Sequence, residues 1–345
     1  MSQALIDLRS DTVTKPTPAM REAMFAAEVG DDVFAEDPTV NRLQEKVAAL
    51  LGTESALYMP SGCASNQIAL KSHTQPGDEI IVETDAHIFN YETAAPAVLS
   101  GIQVKTLQGV RGVFTADQLP PAVRPSQYYM PPTRLIALEN THNRAGGTVY
   151  PIDEIKKISD YAHANGILMH LDGARLWNAS VATGIAPGEY AKHFDSISVC
   201  FSKGLGAPVG SALCGKREFL TKARKWRKVF GCGMRQAGIL AAAAEYALDN
   251  NIARLKEDHD KARYFAEAVN AVPGLCVDLD GVQTNIILVD VSKTGKSPDD
   301  VIALLKQRGV LVSGGTYTTI RAVTHLDVSM EQVKTAVDVI KELFV

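Results

Sequence analysis

Four short apolar runs, EIIVE (79–83), RLIALE (134–139), ILMHL (167–171) and SISVCF (196–201), recur between stretches of helical periodicity. Three of them are nearly apolar throughout, the pattern of strands covered on both faces by crossover helices. The intervening IDEIKKISDYAHANG spaces Ile152, Ile155, Ile158 and Ala162 helically and closes on Gly166. Upstream, DPTVNRLQEKVAALLG opens on Asp37 as N-cap with Pro38 in the first turn. It carries Val40, Leu43, Val47 and Leu50/Leu51 on one face and stops at Gly52. Strands alternating with helices predict an α/β domain with a mostly parallel sheet.

After about residue 235 the rhythm changes. An Ala-rich helix, GILAAAAEYALDN, is followed by NIILVDV (285–291), GVLVSGG (309–315) and IRAVTHLDV (320–328), which read as strands of a separate small sheet. The last helix opens on a capping box, Ser329 with Gln332, and turns Val333, Val337, Ile340 and Phe344 inward. The expected organisation is a large domain over 1–250, with an N-terminal arm 1–15, and a smaller C-terminal α+β domain over 251–345. The cleft between them is the expected ligand site.

Composition narrows the classes of function. With 35 basic and 39 acidic residues the net charge is −4, so no global field attracts nucleic acid or an anionic membrane surface. No uncharged, apolar stretch is long enough to span a bilayer, and Asp7 and Arg9 interrupt the N-terminus before a signal-peptide core. A cytoplasmic location is expected. The five cysteines show no C-x-x-C spacing, and no H-E-x-x-H, EF-hand or P-loop pattern occurs, so neither a disulfide framework nor a metal site is expected.

The chemistry lies just past the strands. His87 is four residues beyond EIIVE, His142 follows RLIALE, Asp172 follows ILMHL, and Lys203 is two residues past SISVCF. Open α/β sheets bind ligands at the C-terminal ends of their strands. A free lysine is almost wholly protonated at neutral pH and becomes a useful catalyst when held as an imine to a carbonyl cofactor. A buried Asp needs a cation opposite it, and a pyridinium nitrogen is such a cation. Pyridoxal 5'-phosphate (PLP) calls for this set together with an aromatic over its ring and a phosphate cup. Ser61, Gly62 and Cys63, opening the helical stretch ASNQIALKSH, offer free N–H groups for that cup. Each residue also has a plainer reading. Asp172 serves equally as a helix N-cap, His142 as a turn residue and His87 as a core histidine. P-S-G is a common turn, and Gly204, Gly206 and Gly210 fit a hairpin as well as a cofactor contact. His170, inside a strand, reads as structural.

The chain resembles the threonine aldolases of the fold-type I PLP-dependent enzymes over nearly its whole length. The segments that carry the resemblance include IDLRSDTVTKPTPAM, VGDDVFAEDPTVNRLQEKVAAL, ENTHN, HLDGARLWNA, FSKGLGAPVGS, GCGMRQAGILAAA, NNIARLKEDH and RAVTHLDV. The resemblance implies a fold-type I large domain and PLP-dependent retro-aldol cleavage of L-threonine and L-allo-threonine to glycine and acetaldehyde. It implies that Lys203 carries the cofactor, Asp172 pairs with its ring nitrogen, His87 stacks on the ring, and Ser61, Gly62 and Cys63 hold the phosphate. Arg175 and Arg321, helped by Ser10, would bind the substrate carboxylate, with Arg175 also beside the cofactor. Two positions depart from the family: Cys63 stands where a Thr is usual, and Phe34 where a Tyr is frequent.

His142 or His87 would take the β-hydroxyl proton, since no Asp or Glu beyond Asp172 lies next to the strand-end set. A homotetramer, a dimer of dimers, is the expected assembly. Within it Lys228 and Arg235, from a basic stretch that runs from Lys216, would reach a neighbouring subunit's site. The competing activities are another PLP amino-acid lyase, such as a β-eliminating enzyme, and a PLP-fold binding module without turnover.

Overall fold

A computed structural model describes residues 5–344; residues 1–4 of the expected N-terminal arm lie outside the described residues. The strands in chain order are β1 (Ile6–Asp7), β2 (Ser55–Met59), β3 (Glu79–Glu83), β4 (Gln103–Leu107), β5 (Thr133–Glu139) and β6 (Leu168–Gly173), followed by β7 (Ser196–Cys200), β8 (Ser211–Gly215), β9 (Ile286–Asp290), β10 (Val310–Leu311), β11 (Ser313–Gly314) and β12 (Thr319–Val323). β2 to β8 form one sheet in the order β2-β8-β7-β6-β5-β3-β4, in which β8 alone runs antiparallel to its neighbours. All four runs singled out in the sequence lie in this sheet, on β3, β5, β6 and β7.

Local chemistry sets the helix ends. The helix Pro38–Leu51 begins where the Asp37 carboxylate accepts from the Val40 N–H and ends at Gly52, whose φ of +64° suits glycine. Ile155, Ile158 and Ala162 of the helix Ile152–Ala164 are buried against the sheet. The terminal helix, Met330–Phe344, has the expected capping box: Ser329 N–H donates to Gln332 Oε1, and Gln332 N–H to Ser329 Oγ.

The C-terminal part differs in detail from the sequence expectation. GVLVSGG is two short strands, not one. β10 pairs in parallel with β1, while β11 joins β12 and β9 in an antiparallel sheet. The stretch 320–328 is strand only to Val323, because His325 turns back to donate from Nε2 to the Asp7 carbonyl at 2.7 Å. Ile6 and Leu8 are built into the same core as Phe265, Val289, Ile320 and Val337. The N-terminal arm thus packs on the C-terminal sheet, and Val323 N–H donates to the Leu8 carbonyl at 2.8 Å. This brings Ser10 and Asp11 up to β12, which carries Arg321. No described helix is long and apolar enough to cross a membrane.

Candidate active site

A cavity of about 290 Å³ opens where the C-terminal ends of β5, β6 and β7 meet the N-terminal arm and β12. Lys203 and Asp172 both line it. Lys203 follows β7, where Thr14 Oγ1 donates to its carbonyl at 3.0 Å and the Gly206 N–H does so at 2.8 Å. Gly206 has φ +79°, so the glycines after Lys203 serve a tight turn that aims the lysine inward. Its Nζ rests 3.4 Å from Cys200 Sγ.

Asp172 is the penultimate residue of β6, not a residue beyond it. It is only 3% exposed, and its carboxylate accepts from Asn66 Nδ2 at 2.8 Å and the Ala174 N–H at 3.1 Å. Both donors are neutral. A buried carboxylate held by neutral donors is costly unless a cation faces it, and Asp172 faces a cavity sized for a small molecule. A protonated pyridine ring fits that requirement.

The opposite wall is a paired-arginine cradle. Arg175 is buried and grips Asp11 with two bonds of 2.7 Å, from Nε and Nη2. Its Nη1 reaches Asn143 Oδ1 at 3.2 Å, and Arg321 Nη2 donates to the same oxygen at 2.8 Å. One amide oxygen therefore holds two guanidinium groups side by side. Arg321 also donates to the Arg9 carbonyl, yet its buried Nε has no partner in the structure. Burial and the neighbouring Arg175 charge push Arg321 down to about 10, so it remains cationic at neutral pH. Burial resists ionisation of Asp11, but the Arg175 guanidinium overrides it and holds the carboxyl well below the usual range. With one arginine neutralised and the other aimed at the cavity, the cradle suits a carboxylate.

The helix Gly62–His73 presents its N-terminus to the cavity, with Gly62 and Cys63 in the lining. A Cβ on Gly62 would stand 2.8 Å from Cys200 Sγ, so glycine lets the helix end approach β7. Ser61 is the N-cap, and its hydroxyl accepts from the Ala64 N–H. Burial and the Glu92 and Asp172 charges push the Cys63 thiol up to about 11, leaving it a neutral, weak donor. His87 lines the same cavity, and its Nδ1 meets Glu92 Oε1 at 3.0 Å. Burial opposes a charge on this ring, but Glu92, with Asp172 and Glu139 behind it, outweighs burial and raises its pKa.

Of the expected residues, Ser10, Gly62, Cys63, His87, Asp172, Arg175, Lys203 and Arg321 are brought to this one cavity. His142 is not. It is buried, with Nε2 at 3.1 Å from Glu83 Oε2 and Nδ1 accepting from the Ala145 N–H at 3.3 Å. Both ring nitrogens are committed, because the bridge between His142 and Thr148 folds the loop back over β5. Lys228 and Arg235 are exposed and away from this chain's own cavity. Two members of their basic stretch pair within the chain, Arg227 with Asp32 and Arg235 with Asp31. Phe34 is exposed.

Sequence reading missed Asp11, Asn66, Glu92, Glu139 and Asn143. Glu139, the last residue of β5, lines the cavity, so Asp172 is not the sole carboxylate at the strand ends. Its two oxygens accept from the His87 and Asn143 backbone N–H groups, tying two site loops together. Its place at the end of RLIALE was visible, whereas Asn66 and Glu92 gave no local signal.

Comparison with known proteins shows the family and the fold. The beta-eliminating lyase family matches residues 7–293. The low specificity L-threonine aldolase of Escherichia coli (strain K12) is 44% identical over 332 residues, covering 95% of this chain and 96% of that protein. The probable low-specificity L-threonine aldolase 2 of Arabidopsis thaliana is 42% identical over 344 residues, with 98% and 97% covered. The solved threonine aldolase of Leishmania major superposes with a TM-score of 0.83 at 21% identity, covering 99% of this chain and all of that one, which establishes the shared fold. The chain belongs to the beta-eliminating lyase family, among the low-specificity L-threonine aldolases.

Proposed function

We propose that the protein is a PLP-dependent aldehyde-lyase that cleaves L-threonine, L-allo-threonine and related β-hydroxy-α-amino acids to glycine and an aldehyde. The observation that carries this is the convergence of Lys203, Asp172 and the Arg175–Asn143–Arg321 cradle on one cavity. Lys203 would hold the cofactor aldehyde as a Schiff base, Asp172 the ring nitrogen, His87 the ring face, and Gly62 and Cys63, with the Ser61-capped helix end, the phosphate. Bound there, the cofactor supplies an electron sink for the pair released at the α-carbon.

The chain's own residues do the rest. Arg321 and Arg175, steadied by Asn143 and assisted by Ser10, fix the carboxylate and with it the α-bond that breaks. His87, with Nδ1 occupied by Glu92, has Nε2 left to take the β-hydroxyl proton as the carbon–carbon bond opens. We assign the proton that completes glycine to the Lys203 ammonium. A histidine base serves either β-epimer at moderate cost, so both L-threonines are substrates and D-threonine is not.

We further propose the cytoplasm as the setting and a homotetramer as the assembly, divided in each subunit into domains 1–250 and 251–345. Lys228 and Arg235 would enter a neighbouring subunit's site. Both are exposed, and a shared two-fold interface would exchange them reciprocally. Activity returning when Lys203→Ala and Arg235→Ala subunits are mixed and exchanged would support that role; none returning despite exchange would remove it.

The functional test is a product assay on L-threonine, L-allo-threonine and D-threonine. Glycine and acetaldehyde in equal amounts from both L-epimers are expected, with rates within roughly 10³ of each other. Release of 2-oxobutanoate and ammonia instead would establish β-elimination.

A further inference from the structure

The helix Gly62–His73 lies over β6 and β7, and where it crosses them the packing layer is polar rather than apolar. His170 and Asp172, two residues apart on β6, share one face of the sheet. Ser196 is the direct partner of His170 on β7. Asn66 and His73, seven residues apart, share one face of the helix. These side chains form one continuous chain of contacts. His73 Nε2 is 2.8 Å from Ser196 Oγ, and Ser196 Oγ is 2.8 Å from His170 Nδ1. His170 Nε2 is 3.2 Å from Asn66 Oδ1. Asn66 Nδ2 then donates to Asp172 Oδ2 at 2.8 Å and to Glu92 Oε1 at 2.9 Å.

The direction of every bond follows from the two carboxylates. Asp172 also accepts from the Ala174 N–H and Glu92 from Gln67 Nε2, so as acceptors both draw the Asn66 NH₂ toward them and leave its carbonyl toward His170. His170 must then carry its proton on Nε2 and accept on Nδ1. The Ser196 hydroxyl donates to that Nδ1 and accepts from His73 Nε2–H. All the dipoles point toward Asp172, where they add in a buried setting. Burial pushes both imidazoles down, His170 to about 4 and His73 to about 3, so neither ring takes a second proton that would reverse the chain.

We propose that His73, Ser196, His170 and Asn66 form a one-way hydrogen-bond chain that steadies the Asn66 amide and thereby holds the Asp172 carboxylate in place, making His170 and Asn66 positioning residues for the cofactor's ring nitrogen. This rests on the assignment of Asp172 to that nitrogen. Without the chain the Asn66 carbonyl loses its donor and the amide is held from the carboxylate side only, so Asp172 is less firmly placed and would be a weaker partner for a protonated ring nitrogen.

The test uses the intact protein loaded with PLP carrying ¹⁵N at the ring nitrogen. His170→Phe is expected to shift that resonance toward the unprotonated position and to lower kcat about tenfold, with KM little changed. His170→Gln, whose amide offers one donor and one acceptor as neutral imidazole does, is expected to restore most of both. A packing role predicts the reverse order, since Phe fills the space of the ring and Gln does not; a normal Phe variant beside an impaired Gln variant overturns the proposal. Asp172→Asn, measured alongside, separates the two layers. If it leaves the ring-nitrogen resonance unmoved, the assignment of Asp172 itself fails. If it moves the resonance while His170→Phe does not, only the chain fails. In the unmutated apoprotein, imidazole ¹⁵N spectra should show His170 and His73 as neutral Nε2–H tautomers, and an Nδ1–H tautomer at His170 overturns the direction derived above.

Discussion

The two walls of the cavity are built in different ways. The wall with Lys203, Asp172 and His87 comes from the ends of three strands of one sheet, β7, β6 and β3, each residue placed by its own strand and the turn after it. The opposite wall is assembled from three remote pieces: Ser10 and Asp11 of the N-terminal arm, Asn143 of the loop after β5, and Arg321 of β12. A defect in the first wall removes a chemical group. A defect in the second misaligns groups that are still present. Chemistry is concentrated in single residues on one side and shared through contacts on the other, so the walls should fail in different ways.

The sharpest break is expected at Lys203→Ala. It should abolish covalent cofactor attachment and nearly all turnover with the fold intact, as far-ultraviolet circular dichroism and borohydride labelling with peptide mapping would show; a label on another lysine would end the assignment. Next comes Asp172→Asn, which should retain the cofactor but lose roughly 10³-fold or more in kcat, about 4 kcal/mol of transition-state stabilisation. Near-normal turnover would leave Asp172 as only a structural acceptor for the Ala174 N–H.

A change in the second wall should be milder. Asn143→Ala removes the oxygen shared by two guanidinium groups, and kcat/KM for L-threonine should fall roughly 10- to 100-fold, about 1–3 kcal/mol, with little change in cofactor affinity. A loss as large as that of Lys203→Ala would erase the contrast between the walls. The smallest effect concerns pH. Glu92 raises the pKa of His87, so the ring stays protonated to a higher pH than a free histidine and is a base only above it. The acid limb of kcat/KM should therefore lie above 6.5, and Glu92→Gln should move it toward lower pH. A limb that stays put would exclude His87 as the base.

Legibility in the sequence followed the same division. EIIVE, RLIALE, ILMHL and SISVCF are apolar because crossover helices cover both faces of their strands, so they announce themselves. β4 escaped because it is an edge strand with exposed Gln103 and half-buried Val104 and Lys105, and edges tolerate charge. β8 escaped because Ser, Gly and Cys carry little strand signal. His142 reads like His87 in the sequence, each just past a strand, yet a turn of loop buries one beside Glu83 and leaves the other facing the cavity. The position of a strand end is local information; the direction in which the next loop folds is not.

By itself, then, the sequence determined the alternation of strands and helices, the capped helix ends, and the reactive residues at the strand termini. Each of these depends on residues within a few positions of one another, through periodicity, capping and backbone preference. Tertiary structure alone decided that Asp11 neutralises Arg175, that Asn143 joins two arginines, and that Asn66 reaches both Asp172 and Glu92. Those contacts span up to 178 residues in the chain, and they exist only because two cores and a seven-stranded sheet bring distant segments together.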